Sequence, residues 1–372
     1  MNTSLFNSHR RRRLLVPLVL NLVLIYYWLP QICQLGDRVR QTGPWSTQYQ
    51  LEQTSVPTTD ELDCLHGKLP QLDHDEFSPA NPIPNRVHFI YGLSNPYNKP
   101  GAGRFDFLCY LAVRSAILGL KAEKVYLHYT YIAEPPSPDP NADPRTNPWI
   151  RRLQHDIELV HHTPAELTSL KSRPEAVWQA AHISDILRLK LLQSQGGIYL
   201  DMDAFGLQPW TETVLKSPRG VVLGHEGGNR QGLCNAVMAG HANGTFLQRW
   251  LDAYDGVDLS REWNYHSVLL PKAMQLEHPS EVCALPPGAF FWPTWTWKHI
   301  DWMHAALGPE EAQYWTDEVR RNGGGLFADQ LAYHAWSQMA WDRYLKHLTP
   351  EVVRTKDTRF NIMVRRFIGD DV

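Results

Sequence analysis

The chain has 372 residues, enough for one large domain or two ordinary ones. Its hydrophobic content of 43% and charged content of 20% are those of a globular protein. A formal charge of -3 gives no global basic field, so nucleic acid is not an expected partner. Aromatic residues stand at 11%, with 14 Trp and 15 Tyr. Such rings serve sugar-handling proteins as stacking platforms, and they serve ordinary cores equally well.

Arg10, Arg11, Arg12 and Arg13 form a basic cluster, and residues 14–35 follow it as an uncharged, mostly apolar run. About 20 residues are needed to cross the hydrocarbon of a bilayer. The cluster on the N-terminal side predicts a cytosolic tail over residues 1–13 and a luminal body. A cleavable signal peptide is the competing reading. Against it, no small-x-small site follows, and Tyr26-Tyr27-Trp28 resembles an interfacial aromatic belt. Residues 36–82 are polar and turn-rich with little periodicity, which predicts a stem. Cys33 falls in the anchor. Cys64, Cys109, Cys234 and Cys283 would be luminal, where disulfides form and three pairings are possible. Cys109 lies on an apolar helix face, and a buried free thiol is an equal reading there. The Asn243-Gly244-Thr245 sequon agrees with a luminal body.

The body is expected over residues 83–372. Ile83-Pro84-Asn85 introduces a first strand at residues 86–91, an apolar helix spans 105–120, and a second strand spans 124–129. This is the β-α-β opening of a parallel sheet. Residues 134–148 are rich in Pro, Asp and Asn and predict a surface loop. A short helix at 149–154 leads to a third strand at 157–160, and residues 178–195 predict a longer helix. Strands are then expected at 221–224 and 233–239, with a helix at 245–254. Residues 290–297 are strongly aromatic. Gly323-Gly324-Gly325 precedes an expected final helix carrying His334, Trp336 and Trp341.

The chain is organised around Gln195-Gly196-Gly197-Ile198-Tyr199-Leu200-Asp201-Met202-Asp203. Residues 198–200 read as a buried strand entered through a glycine turn. Gly196 and Gly197 end the preceding helix in a left-handed conformation and allow close backbone approach. Asp201 and Asp203 follow, two apart, so that both carboxylates project to one side at the strand's C-terminal end. Ligands bind at that end of open α/β sheets. Two hard oxygen donors there suit Mg²⁺ or Mn²⁺, which takes its remaining oxygens from water and a substrate phosphate.

The unit Ala181-His182-Ile183-Ser184-Asp185-Ile186-Leu187-Arg188 followed by Gly196-Gly197-Ile198-Tyr199-Leu200-Asp201-Met202-Asp203 resembles the signature of glycosyltransferase family 32. That group contains fungal Golgi α-1,6-mannosyltransferases and bacterial capsular sugar transferases, and its core is similar to that of the large clostridial glucosylating toxins. The opening at residues 83–90 resembles the family's first strand, and Ala332-Tyr333-His334-Ala335-Trp336 resembles its closing His-x-Trp element. A D-x-D alone is weak; S-D-x-x-R followed by the glycine pair and D-x-D is specific. Departures are Tyr91, where Trp is frequent, and the Pro-rich loop at 134–148.

The resemblance implies a GT-A fold (a Rossmann-like mixed α/β sheet flanked by helices), a divalent metal, a nucleotide-sugar donor and retention of anomeric configuration. It implies that Asp185 holds donor-sugar hydroxyls and that Arg188 lies near the sugar or diphosphate; an exposed ion pair is the plainer reading. Asp201 and Asp203 would be the metal pair, with His334 completing the shell. His88, Ser184, Gly197, Tyr199 and Trp336 are expected around the donor, although Tyr199 and Trp336 serve equally as core. Trp292, Trp295 and Trp297 would stack on an acceptor glycan, face lipid or form an aromatic subcore. Asp329 is a candidate acceptor-binding acid on the last helix.

The expectation is transfer of a hexose, mannose favoured, from GDP-mannose to a glycan or glycolipid acceptor in the Golgi lumen, with a UDP-hexose donor as the alternative. The metal and Arg188 would neutralise the leaving diphosphate. No carboxylate is placed as a nucleophile, so same-face departure and attack is expected. A D-x-D phosphatase and a non-catalytic membrane lectin are the remaining readings. The phosphatase motif belongs to the first strand and carries Thr or Val where this chain has Phe205.

Overall fold

The computed structural model describes residues 28, 52, 56–69, 81–95, 104–134, 139–170, 180–255, 264–370 and 372. No helix among them is long and apolar enough to cross a membrane. The expected span at 14–35 lies outside the described residues apart from Trp28, as does most of the expected stem. The chain divides into two compact units, residues 1–49 with 296–298 and residues 50–295 with 299–372. The first is described only at Trp28 and 296–298, and the second carries both sheets and the site.

Among the described residues nine strands form: β1 (Arg86–Tyr91), β2 (Lys124–Tyr129), β3 (Glu158–His161), β4 (Gly197–Leu200), β5 (Ala204–Gly206), β6 (Val221–His225), β7 (Leu233–Gly240), β8 (Val282–Leu285) and β9 (Ala332–His334). Seven of them make one sheet in the order β3-β2-β1-β4-β7-β6-β8, and β5 pairs with β9 in a second. Only β7 runs against the rest of the large sheet. It is therefore mixed, as expected.

The strands before β4 run outward from β1, and β4 returns to β1's other side, so the strand order reverses between them. Such a reversal opens a crevice at the carboxyl ends of the strands. The helix packed behind it, Ala180–Gln195, presents Ile186, Leu189 and Leu192 to a core shared with Leu223, Met238, Phe246 and Trp250. Burying each such aliphatic side chain is worth about 1.5–3 kcal/mol. Gly196 ends the helix at φ +66, its N–H donating to the Leu192 carbonyl at 2.8 Å. Gly197 follows at φ +116, where an added Cβ would meet Arg86 Cγ at 2.6 Å.

Two expectations change here. Residues 59–65 are not a stem but a helix, α1 (Thr59–Leu65), packed on the body with Cys64 and Leu65 buried. A capping box starts it: Thr58 Oγ1 accepts from the Glu61 N–H at 3.2 Å, and the Glu61 carboxylate accepts from the Thr58 N–H at 2.9 Å. Cys64 is disulfide-bonded to Cys283 in β8, while Cys109 and Cys234 are buried free thiols. The expected final helix through His334 is strand β9, with Ala204 opposite His334 and Phe205 opposite Tyr333. Its Ala-rich sequence favours helix, and pairing with β5 overrides that weak preference.

Candidate active site

β4 ends at Leu200, and residues 201–203 turn into β5 rather than extending the strand. The Asp201 N–H donates to the Ala236 carbonyl of β7 at 2.8 Å, and the Ala204 N–H donates to the Asp201 carbonyl at 2.9 Å. These bonds pin the turn against the start of β7. Asp201 and Asp203 line a cavity of about 530 Å³, together with Asp185, Arg188, Asn235 and His334.

Arg188 is the hub of one side. Its guanidinium lies 3.1 Å from Asp201 Oδ1 and 3.3 Å from Asp185 Oδ1. It also donates to the Asn235 carbonyl at 2.9 Å, to Asn235 Oδ1 at 3.0 Å and to Ser184 Oγ at 3.2 Å. Its carbon Cζ sits 4.3 Å from the centre of the Tyr199 ring. The side chain is 6% exposed and that of Asp185 is 10% exposed. The pair is thus buried, and the reading of it as an exposed ion pair falls away. Burial opposes the charge on Arg188, but Asp201, Tyr199 and Asp185 outweigh it and hold the guanidinium firmly protonated. Burial also raises the Asp185 carboxyl above its usual range, against Arg188 and the amide of Asn235, which donates at 2.8 Å.

Asp203 and His334 form the other side. His334 Nε2 lies 3.2 Å from Asp203 Oδ1 and 3.9 Å from Asp201 Oδ2. The Ser337 N–H donates to Asp203 Oδ2 at 2.7 Å, and the Ala335 N–H donates to the Asp203 carbonyl at 2.8 Å. Trp336 makes this possible by taking φ 52, a left-handed conformation uncommon for a bulky residue. Its indole N–H donates to the Pro293 carbonyl at 2.9 Å, and its ring meets that of His334 edge-on. Burial would raise the Asp203 carboxyl, yet His334 and Ser337 hold it well below the usual range. Burial would lower His334, yet Asp203 above all raises it.

The ligand atoms of Asp201, Asp203 and His334 all lie within 4.8 Å of one another. Four carboxylates, of Asp185, Asp201, Asp203 and Glu226, line the cavity with one guanidinium, a surplus of negative charge that a divalent cation matches. Two carboxylate oxygens and one imidazole nitrogen are a plausible donor set for such an ion. The residues fit the metal that the motif implies.

The other expected site residues divide between the cavity and the interior. His88 is fully buried and accepts or donates within the interior, 3.1 Å from His128 Nε2 and 3.2 Å from the Gly196 carbonyl. It does not line the cavity: it pairs with Tyr199 in register and shares its sheet face, but its ring nitrogens are taken by His128 and the Gly196 carbonyl. Gly197 is at the opposite end of β4 from Asp201, and its role is backbone clearance. Ser184 and Tyr199 do not line the cavity either: Ser184 holds Arg188, and the Tyr199 hydroxyl donates to Asp201 Oδ1 at 2.7 Å. Trp336 both lines the cavity and packs on Phe291. Asp329 lies in a turn at φ 61, not on a helix, 3.5 Å from His66. Trp292 packs among His299, Trp302 and Phe327, an aromatic subcore, whereas Trp295 lines the cavity. Trp297 is buried.

Sequence reasoning missed Asn235 and Glu226. Neither carries a local signal: Asn235 is the third residue of β7, and Glu226 is the residue after β6. Only the sheet order brings them to the cavity.

Residues 138–219 match the family model described as a glycosyltransferase sugar-binding region containing a DXD motif. Over 296 residues the chain is 34% identical to glucan organizing enzyme 1 of Cryptococcus neoformans var. grubii serotype A, covering 77% of this chain and 71% of that protein. The matching solved structures are more distant in sequence. The galactosyltransferase LgtC with donor and acceptor sugar analogues is 15% identical, covers 77% of this chain and 98% of its own, and has a TM-score of 0.35. Mouse xyloside xylosyltransferase 1 is 13% identical, covers 69% and 99%, and has a TM-score of 0.40.

Proposed function

The chain belongs to the family of glycosyltransferases whose sugar-binding region contains a DXD motif, and from that premise we propose that it is a metal-dependent, retaining hexosyltransferase acting on a nucleotide-diphosphate sugar. The observation that carries this reading is the convergence of Asp201, Asp203 and His334 beside the buried Arg188 in one cavity. Asp201, Asp203 and His334 would hold the cation. The mixed oxygen and nitrogen set favours Mn²⁺ over Mg²⁺, since imidazole suits the softer ion. When bound, the ion supplies Lewis-acid stabilisation of the negative charge on the departing diphosphate.

The protein's own groups do the rest. Arg188, fixed by Asp185, Asn235 and Ser184, keeps a positive charge at the cavity wall without reorganising during reaction. Asp185 has one oxygen engaged by Asn235 and Arg188, which leaves the other to accept from donor-sugar hydroxyls. Tyr199 and Ser337 hold Asp201 and Asp203 in their orientations.

The fold assigned is GT-A. The donor is GDP-mannose by preference, on the resemblance to the fungal mannosyltransferases. UDP-glucose and UDP-galactose stay in the test, the former because the similar fungal protein is named for glucan. The acceptor is a glycan or glycolipid. The body is placed in the Golgi lumen, anchored by residues 14–35 as a type II membrane protein. The test is nucleotide release from GDP-mannose, UDP-glucose and UDP-galactose by the full chain in detergent with Mn²⁺. Release from one donor, abolished by a chelator and restored by Mn²⁺, is expected. No release and no binding of any nucleoside diphosphate by folded protein would contradict the proposal.

A further inference from the structure

The donor wall leaves one carboxylate of the cavity unexplained. Glu226 follows the last residue of β6 and lines the cavity together with Trp295, Asp201 and His334. β6 runs parallel to β4, because each pairs antiparallel with β7 between them. The C-terminal ends of β4 and β6 therefore open on the same edge of the sheet. Two strand spacings separate them, roughly 10 Å. That gap is wide enough for a sugar ring to lie between Glu226 and the donor wall.

Glu226 is neither an ion-pair partner of Arg188 nor one of the three metal-ligating side chains. Trp295 lines the same cavity beside it. Trp295 is itself only partly buried. A carboxylate beside an accessible indole offers an acceptor for sugar hydroxyls and an apolar face for a pyranose ring, the two demands of neutral saccharide recognition.

The loop that carries Glu226 is also held from behind. Arg230, at φ 54, donates to both Glu61 oxygens of α1, at 2.6 and 2.8 Å, and to the Val56 carbonyl at 2.8 Å. His225 Nε2 stands 3.5 Å from the same Glu61. α1 in turn is tied to β8 through Cys64 and Cys283. The residues on either side of Glu226 are thus anchored, and its placement in the cavity is preorganised.

We propose that Glu226 and Trp295 form the acceptor subsite of this cavity, Glu226 accepting a hydrogen bond from a hydroxyl of a neutral saccharide and Trp295 supplying the adjoining face. This rests on the transferase reading of the same cavity, so the experiment separates the two. Affinity for UDP and GDP with Mg²⁺ is measured by calorimetry. Affinity for the methyl α- and β-glycosides of glucose, galactose and mannose, and for their disaccharides, is measured by saturation-transfer NMR on the Mg²⁺–nucleotide complex. Wild type, Glu226→Ala, Glu226→Gln and Trp295→Phe are compared in the full chain.

Glu226→Ala is expected to weaken saccharide binding by about 10- to 100-fold. Glu226→Gln, whose amide oxygen still accepts, is expected to recover part of that loss. Trp295→Phe, which keeps a ring, should weaken binding least. Nucleotide affinity should stay at the wild-type value throughout, which a role confined to folding would not allow. Unchanged saccharide affinity in Glu226→Ala, no saccharide binding by wild type, or a parallel loss of nucleotide affinity would each overturn the subsite. A wild-type chain that binds no nucleotide overturns the donor reading beneath it as well.

Discussion

On one side of β4, His88, His128 and His162 stand in file, their ring nitrogens 3.1 and 3.0 Å apart, with His88 closing on the Gly196 carbonyl at 3.2 Å. On the other side, Asp185, Arg188, Asp201 and Asp203 crowd a cavity. The first cluster is neutral: burial lowers His88 to about 4 and depresses His128 further. Both nitrogens of His88 and of His128 meet another ring or a backbone carbonyl. The second cluster is charged, and its surplus of carboxylate faces open space. The contrast separates two uses of buried polarity. A cluster that satisfies itself supports the fold, and one whose charges need an outside partner is built to bind.

Five substitutions sharpen or break that contrast. Asp203→Asn should reduce nucleotide release by about 10³-fold or more, since it removes a side chain that, on the proposed function, would hold the ion stabilising the leaving group. The far-UV circular dichroism should remain that of the wild type. Next, Arg188→Leu leaves Asp185 without its main counter-charge in a buried setting and should cost about 3–5 kcal/mol in chemical denaturation. Adding Asp185→Asn should return part of that loss, and a double-mutant cycle with no coupling would break the account of the hub.

His88→Leu should behave oppositely. It strands the His128 nitrogen and the Gly196 carbonyl, costing about 1–3 kcal/mol of stability, while nucleotide affinity stays unchanged. The wild-type file also predicts a pH dependence. His88 titrates near 6.5 when unfolded and near 4 when folded, so the fold favours its neutral form. Its contribution is complete above pH 6.5 and is lost as pH falls toward about 4, by about 1.4 kcal/mol per pH unit. Denaturation midpoints of the His88→Leu variant should fall less over that window. The smallest effect is expected of Tyr199→Phe. It deletes one hydrogen bond to Asp201 and should weaken nucleotide affinity less than about tenfold.

Much of this was legible before the structure. β1 and β2 fall at the residues expected of them, and the glycine pair ends the helix in left-handed conformation as expected. The D-x-D, its serine-aspartate-arginine helix and His334 come together because the motif records a three-dimensional relation. His88 was misplaced for a physical reason: it shares a sheet face with Tyr199, but its ring nitrogens are taken by His128 and the Gly196 carbonyl, partners distant in sequence. β9 was misread because its composition suits a helix, and only a partner strand some 130 positions earlier made it extended. α1 carried its own local signal in Thr58 and Glu61, a capping box within an otherwise unpatterned stretch. Asn235 and Glu226 carried none, since their place depends wholly on strand order.

The central claim is that Asp201, Asp203 and His334 make one metal site on the donor wall. Electron paramagnetic resonance of free Mn²⁺ titrated with the full chain, in the presence of GDP or UDP, tests it most directly. One bound Mn²⁺ per wild-type chain is expected, with binding abolished in Asp203→Asn and weakened in His334→Ala. Equal Mn²⁺ binding by wild type and both variants, all folded, would contradict it.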